Sequence, residues 1–171
     1  YSILRIEPLM ERLAEAVKAG KIRHVGVSNY SATQMRKAHA ALARHGVPLV
    51  SNQVNYSLLK RTPEVNVVLD TCRELGVTLI AYSPIAQGAL TGKFTKDTRF
   101  APDDFRAKYF EGDRVNRVMT RVEALRQDLA GSGYTLPQAA IKWVLAHPAV
   151  STVIPGMRNA AQAGANCAVS D

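Results

Sequence analysis

The chain has 171 residues, of which 47% are hydrophobic and 21% are charged, and its formal net charge is +8. This is the composition of an ordinary globular protein, so it excludes a disordered chain, a collagen-like repeat and a disulfide-stabilised miniprotein. No apolar run approaches the roughly 18–20 residues of a membrane-spanning helix. Because the basic residues are dispersed and few aromatic residues lie among them, we expect neither a membrane nor a nucleic acid as a partner.

Apolar residues at helical spacing alternate along the chain with short apolar runs, which predicts alternating helices and strands. Capping residues and first-turn prolines mark where the helices begin, and glycines mark where several of them end. The first predicted helix runs from Pro8 to Gly20, the second from its cap Ser31 to Gly46, the third from its cap Thr62 to Gly76, the fourth from about Val115 to Ala130, the fifth from Thr135, and a short helix follows Asn159.

Four short apolar runs predict strands, and because they lack a clean polar alternation we expect them to be covered on both faces. Strand–helix–strand connections require parallel strands and right-handed crossovers. The sequence therefore predicts a parallel α/β fold, and four strands fit either a flavodoxin-like sheet or half of an eight-stranded barrel. The predicted strands are 22–27, 49–55, 77–82 and 150–154.

Neither the cysteines nor the histidines form a pattern that predicts a metal site. Cys72 and Cys167 lie far apart, and no histidine is paired with a cysteine or a carboxylate at ligand spacing. The sequence also shows no signal-peptide pattern, so we expect reduced thiols in a cytoplasmic protein. A dinucleotide-binding GxGxxG motif is absent, and the glycines of the segment 88–93 are too closely spaced for a P-loop.

Small polar clusters follow the predicted strands. In a parallel barrel the carboxyl ends of the strands build one shared site, in which amides can hold a carboxamide, an aromatic ring can stack and an arginine at a helix start can hold a phosphate. The alternative is that these residues only cap the following helices, but Ser31 and Thr62 already serve as caps at two of the junctions. The clusters are Ser28-Asn29, Asn52-Gln53 with Asn55, Tyr82-Ser83, and Pro155-Gly156 with Arg158-Asn159.

Four segments that contain these clusters resemble the aldo-keto reductase family, in the right order and at the right spacing. They are 20–30 (GKIRHVGVSNY), 52–59 (NQVNYSLL), 80–93 (IAYSPIAQGALTGK) and 153–156 (VIPG). The resemblance implies a (β/α)8 barrel of the TIM type, of which this chain supplies roughly the fifth to eighth strands. It also implies reduction of aldehydes or ketones by hydride transfer from NADP(H), bound without a Rossmann domain.

The resemblance implies three groups of cofactor-binding residues. Ser28, Asn29 and Gln53 match residues that bind the nicotinamide carboxamide, and Tyr82 matches the aromatic residue that stacks on the nicotinamide ring. The loop over the pyrophosphate, within the long connection 84–113, matches Ser83, Pro84, Ile85, Gly88, Leu90 and Lys93. The segment near the 2′-phosphate and adenine matches Ile154, Gly156, Met157, Arg158, Gln162 and Asn166.

Two departures from the family pattern concern cofactor choice. Gly156 stands where many relatives have lysine, which leaves Arg158 as the expected phosphate partner. Ala165 stands where relatives usually have an acidic residue, so a weaker grip on the adenine ribose is expected. The resemblance favours NADP(H) over NAD(H).

The catalytic Asp, Tyr, Lys and His of the family have no counterpart in this sequence, because they belong to the first half of the barrel. We therefore expect residues 1–171 to form a single partial domain, inactive alone, whose partners are the missing half-barrel or a second copy and a small carbonyl substrate. Four strands of a barrel should expose two sheet edges and half of an apolar interior. Two alternatives remain: a cofactor-binding regulatory or structural protein similar to potassium-channel β subunits, and an inactive self-associating half-barrel.

Overall fold

A parallel sheet forms the centre of the computed structural model, which describes residues 5–169. Its strands are β1 (Val25–Ser28), β2 (Leu49–Asn55), β3 (Thr78–Tyr82) and β4 (Val150–Ile154), hydrogen-bonded in that order. The parallel α/β prediction is confirmed. A flavodoxin-like sheet would place its second strand outside the first. The consecutive order therefore differs from that of a flavodoxin-like sheet and agrees with the barrel alternative. Residues 1–4 and 170–171 of the predicted domain lie outside the described residues.

Eight helices flank the sheet within residues 5–169. Side-chain caps fix four of their starts: Ser31 and Thr135 each form a capping box with the glutamine three residues later, Asp104 accepts from the backbone N–H of Arg106, and Asn159 accepts from that of Gln162. No helix in this range is long and apolar enough to span a membrane. The helices are α1 (Ile6–Lys18), α2 (Ala32–Ala43), α3 (Thr62–Val65), α4 (Val68–Leu75), α5 (Phe105–Tyr109), α6 (Arg114–Asp128), α7 (Leu136–Leu145) and α8 (Ala160–Cys167).

Three sequence predictions of local structure were wrong. The third predicted helix is divided into α3 and α4, because Val67 between them has a φ of 55°, in the left-handed region that no helix can include. Thr62 is the first residue of α3 rather than its cap, and the side chain of the preceding Arg61 makes no capping bond. The first strand begins at Val25, not at residue 22. The long connection 84–113 contains a 3-10 helix, Ala86–Thr91, as well as α5.

The hydrophobic core has two parts. The larger part lies between one face of the sheet and the helices α1, α2, α4 and α7, and it includes the fully buried Met35, Leu69, Leu79 and Val144. The smaller part lies where the 3-10 helix meets α6 and α7, and Leu90 is buried at its centre. The second part anchors the long connection beside the carboxyl ends of the strands.

The other face of the sheet is left open by the described residues, which agrees with the expectation that four strands of a barrel expose half of its interior. Most of the side chains on this face are polar rather than apolar, although Ile80, Tyr82 and Ile154 also lie on it. A Cβ added to Gly26 would collide with the Ser51 hydroxyl, which shows how closely packed the first row is. The register groups its residues into three rows: Gly26, Ser51 and Thr78; Ser28, Gln53, Ile80 and Thr152; and Asn55, Tyr82 and Ile154.

The strained residue Val67 offers a test of the break between α3 and α4. A left-handed conformation costs an L-residue about 1–2 kcal/mol, and most of this penalty is absent for glycine. Val67 is 52% exposed, so its removal leaves no cavity. We expect Val67→Gly to raise the free energy of unfolding by about 0.5–1 kcal/mol, measured by urea denaturation.

Val65→Gly is the matched control, because Val65 is also exposed (82%) but has helical backbone angles in α3. This substitution should lower the free energy of unfolding by about 0.5–1 kcal/mol. Equal destabilisation by the two glycines would show that Val67 is not strained.

Candidate functional site

A cleft of about 650 Å³ opens at the carboxyl ends of β3 and β4 and extends between the 3-10 helix, α5, α7 and α8. This volume lies within the range of roughly 300–1,000 Å³ that is typical of small-molecule sites. The structure brings most of the predicted site residues together along its walls: Tyr82, Ser83, Ile85, Gly88, Lys93, Ile154, Gly156, Met157, Arg158, Gln162 and Asn166.

The remaining predicted residues lie outside this cleft, in two places. Pro84 and Leu90 are buried in the loop, and the Leu90 side chain belongs to the smaller core, so only their backbone could face a ligand. Ser28, Asn29 and Gln53 lie at the neighbouring ends of β1 and β2. They are connected to the cleft through Tyr82.

A chain of hydrogen bonds joins the ends of three strands. The Tyr82 hydroxyl donates to Oδ1 of Asn29 at 3.1 Å, and Nδ2 of Asn29 donates to the Ser28 hydroxyl at 3.1 Å. Ser28 in turn donates to the backbone oxygen of Gln53 at 3.2 Å, which also accepts from the Asn29 N–H at 2.8 Å. The hydrogen bonds hold the Tyr82 ring at one end of the cleft and place the Asn29 carboxamide beside it.

The charges in the cleft are positive. Of its lining residues within 5–169, Lys93, Arg106 and Arg158 are basic and none is acidic. Arg106 stacks on Phe100, with its guanidinium carbon 4.9 Å from the ring centroid, and Arg106 Nε donates to both carboxylate oxygens of Asp104 at 2.9 Å. This bonding lowers the pKa of Asp104 to about 2, with a smaller effect from the nearby Arg158 charge.

Lys93 and Arg158 are the cations available to an anion. Neither forms an ion pair with a carboxylate of the described residues, whereas Arg106 is engaged by Asp104. Arg158 also precedes α8, whose positive end faces the same cleft. Two cations and a helix start suit the phosphate groups of a nucleotide.

Gln162 makes a contact that the sequence did not predict. Its Oε1 accepts from the backbone N–H of Arg158 at 2.8 Å, and its own N–H donates to the cap residue Asn159 at 2.9 Å. The two bonds tie Gln162 to both residues of the turn before α8. Gln162 therefore orients Arg158, in addition to lining the cleft where the resemblance places adenine.

Several lining residues were missed by the sequence analysis. Thr135 and Gln138 carry a signal, the capping box, but it indicates a helix start rather than a site. Arg106 and the aromatic residues around it lie in the long connection, where no periodicity indicates which side chains turn inward. The lining residues not predicted are Gln87, Thr91, Phe94, Phe105, Arg106, Thr135, Pro137, Gln138 and Ala165.

Two polar residues of the sequence motifs are directed away from the cleft. Asn52, in the second strand-end cluster, lies on the helix-covered face of the sheet and is fully buried. Tyr56 is buried as well, and its hydroxyl donates to Glu64 at 2.9 Å. Burial and this hydrogen bond raise the pKa of Tyr56 well above its usual value. Residues 5–169 contain no group of three or more His, Cys, Asp and Glu side chains that could hold a metal ion.

Known proteins similar to this chain fall in one group. The family model described as the Aldo/keto reductase family matches residues 2–171. Aldo-keto reductase str7 of Strobilurus tenacellus is 36% identical over 158 residues, which cover 90% of this chain and 45% of the relative. The chloroplastic pyridoxal reductase of Arabidopsis thaliana is 36% identical over 163 residues (93% and 42%). The L-glyceraldehyde 3-phosphate reductase of Escherichia coli K12 is 32% identical over 166 residues (92% and 47%).

Solved structures with a similar fold agree with these relatives. The glycerol dehydrogenase AKR11B4 from Gluconobacter oxydans superposes with a TM-score of 0.79 at 26% identity, over 91% of this chain and 46% of its own. The thermostable aldo-keto reductase Tm1743 gives 0.69 at 25% identity, over 99% and 51%. The chain thus spans about half the length of the relatives it matches. Because the family match extends over residues 2–171, the chain belongs to the aldo/keto reductase family.

Proposed function

We propose that this chain is the C-terminal, cofactor-binding half of an NADP(H)-dependent oxidoreductase that reduces an aldehyde or ketone. In this proposal β1 to β4 are the fifth to eighth strands of a (β/α)8 barrel. The observation that carries it is the hydrogen-bonded group at the strand ends, which adjoins a cleft lined by two cations that no carboxylate of residues 5–169 pairs with. Family membership, and relatives named as reductases, support the reaction class.

The residues present fit a nicotinamide dinucleotide in both chemistry and arrangement. Asn29, Ser28 and Gln53 offer donors and acceptors for a carboxamide, and the Tyr82 ring offers a flat surface whose hydroxyl is already held by Asn29. Lys93 and Arg158 supply charge for phosphates. When bound, the nicotinamide would supply a hydride to a carbonyl carbon. The residues of this chain would bind it and fix which ring face is presented.

Proton donation has to come from outside this chain. The family's catalytic Asp, Tyr, Lys and His have no counterpart here, and the Tyr56 hydroxyl is buried away from the cleft, where it donates to Glu64. The Tyr82 hydroxyl is used by Asn29. We therefore propose that residues 1–171 bind cofactor but do not turn over a carbonyl substrate alone.

The open sheet face supports a covering half-barrel as partner. β1 and β4 are edge strands, each with one unpaired row of backbone groups, and the face between them is uncovered by residues 5–169. Unpaired parallel edges are ready templates for a further strand. We propose that the rest of the same barrel covers this face in the full-length protein, the alternative being a second copy of this chain.

The association state of the isolated chain tests this requirement for a partner. Expressed as residues 1–171 alone, the chain should self-associate, because nothing else pairs its edges. Size-exclusion chromatography with light scattering should give a mass well above 18.6 kDa, the mass of one chain. A compact monomer would contradict the proposed partner requirement.

The proposed role of Tyr82 is tested by Tyr82→Ala in the full-length protein. Loss of ring stacking should weaken NADPH binding by about 1–2 kcal/mol, measured by fluorescence titration. Tyr82→Phe keeps the ring and should weaken NADPH binding less. Tyr134 is an exposed tyrosine whose ring faces Lys142, and Tyr134→Ala should leave NADPH binding unchanged. Unchanged affinity in Tyr82→Ala would refute the role. NADPH binding without turnover of any aldehyde or ketone would instead favour the regulatory alternative.

The proposed phosphate contact is tested by Arg158→Ala. Hydrogen bonds to charged groups contribute about 1.5–3 kcal/mol, so the dissociation constant for NADPH should rise by about tenfold or more. The dissociation constant for NADH, which lacks the 2′-phosphate, should change by less than about threefold. Arg12→Ala removes an exposed, paired arginine on α1 and serves as the charge control. Equal losses for both cofactors would show that Arg158 does not distinguish them.

A further inference from the structure

We infer that Asn52 is a positioning residue for the cofactor site: it fixes the backbone of Tyr30 and thereby holds the Asn29 carboxamide at the ends of the strands. Asn52 does not face the cleft and would not touch cofactor or substrate. The inference rests on the proposed function, because positioning has meaning only if Asn29 contacts a ligand.

The burial of Asn52 is unusual for an amide. It lies on the helix-covered face of β2, where its neighbours in register are Val27 on β1 and Leu79 on β3. Its exposed fraction is 0%. A buried amide without hydrogen bonds is costly, and an apolar residue at this position would pack against the same core. An asparagine at this position must therefore form hydrogen bonds with a polar partner if its burial is not to destabilise the fold.

Both polar atoms of the Asn52 amide are committed to the backbone of one residue. Oδ1 accepts from the Tyr30 N–H at 3.3 Å, and Nδ2 donates to the Tyr30 carbonyl at 3.0 Å. Nδ2 also lies 3.1 Å from the Met35 sulfur, a weak acceptor on α2. The Asn52 side chain thus makes with Tyr30 the two hydrogen bonds that a neighbouring strand would make through its backbone. The backbone pairing between β1 and β2 is thereby continued past the end of β1.

The consequence falls on Asn29, which lies between β1 and Tyr30. Asn29 has a φ of 58°, in the left-handed region that asparagine adopts more readily than other non-glycine residues. Its own N–H donates to the Gln53 oxygen at 2.8 Å, so the backbone is held on one side by β2 and on the other by Asn52 through Tyr30. This two-sided hold sets the direction in which the Asn29 side chain reaches Tyr82 and Ser28.

A double-mutant cycle in the full-length protein tests this coupling, with NADPH as the probe. Asn52→Leu replaces the amide by an apolar group of similar size and should raise the NADPH dissociation constant by about three- to tenfold. In the Asn29→Gly background the same change should raise it by less than about twofold, because the side chain to be positioned is gone. Glycine tolerates the left-handed backbone, so this background is expected to fold.

A merely structural role would give a different result: Asn52→Leu would cost the same factor in both backgrounds, which would overturn the inference. Thr71→Val is the matched control. Thr71 is also a buried polar residue bonded to a backbone oxygen, but on α4, away from the site. It should lower the denaturation midpoint and leave the NADPH dissociation constant within about twofold.

If Asn52→Leu does not fold, two further measurements decide the question. Asn52→Ser loses part of the pairing and should show a smaller loss of affinity in the same direction. In the unsubstituted protein, the Tyr30 amide hydrogen should exchange as slowly as those of β2, and fast exchange would overturn the inference. Failure of the unsubstituted protein to bind NADPH would refute the proposed function itself, whereas binding without coupling would refute only the role of Asn52.

Discussion

The parallel register of β1, β2 and β3 is the constraint on which the candidate site depends. Ser28 lies beside Gln53, and Asn55 lies beside Tyr82. Because all strands end at the same edge, residues far apart in sequence meet there, and the Tyr82 hydroxyl reaches across β2 to Asn29. A shift of one residue in this pairing would turn the side chains of one strand to the opposite face, so the site residues would no longer lie together. The relative positions of these site residues are thus set by strand pairing rather than by the loops.

Much of the fold could be predicted from the sequence because its signals are local. Ser31 and Thr135 cap helices through bonds to residues three positions later, and β2 and β4 have the predicted ends. What could not be predicted depends on neighbours in space. Asn52 and Gln53 are adjacent polar residues in one cluster, yet they lie on opposite faces, and only the pairing with β1 and β3 decides which. The left-handed Val67 likewise carries no signal in its own side chain.

The residues that line the cleft likewise fall into those that the sequence could predict and those that it could not. The residues that follow β3 and β4 could be assigned from motifs, because a strand end fixes their position. Arg106 lies in a connection without periodicity, and its place is set by tertiary contacts: stacking on Phe100, whose ring stacks in turn on Phe110, and pairing with Asp104. Motif positions therefore identified the polar groups at the strand ends. The positions of Arg106 and of the aromatic rings beside it, Phe100 and Phe110, could be seen only in the folded structure.

The distribution of ionisable groups bears on how the proposed reaction would be divided between two halves of a barrel. On the proposed function, this chain would supply cations and hydrogen-bonding amides that orient the ligand. The groups whose pKa values burial raises, Tyr56 and Cys72 (to about 11), are directed into the core rather than the cleft. On the proposed function, a proton donor must then approach the nicotinamide from the open side of the sheet, past Gln53 and Tyr82. On the proposed function, the uncovered polar face is therefore the side on which the other half of the barrel would contribute its catalytic groups.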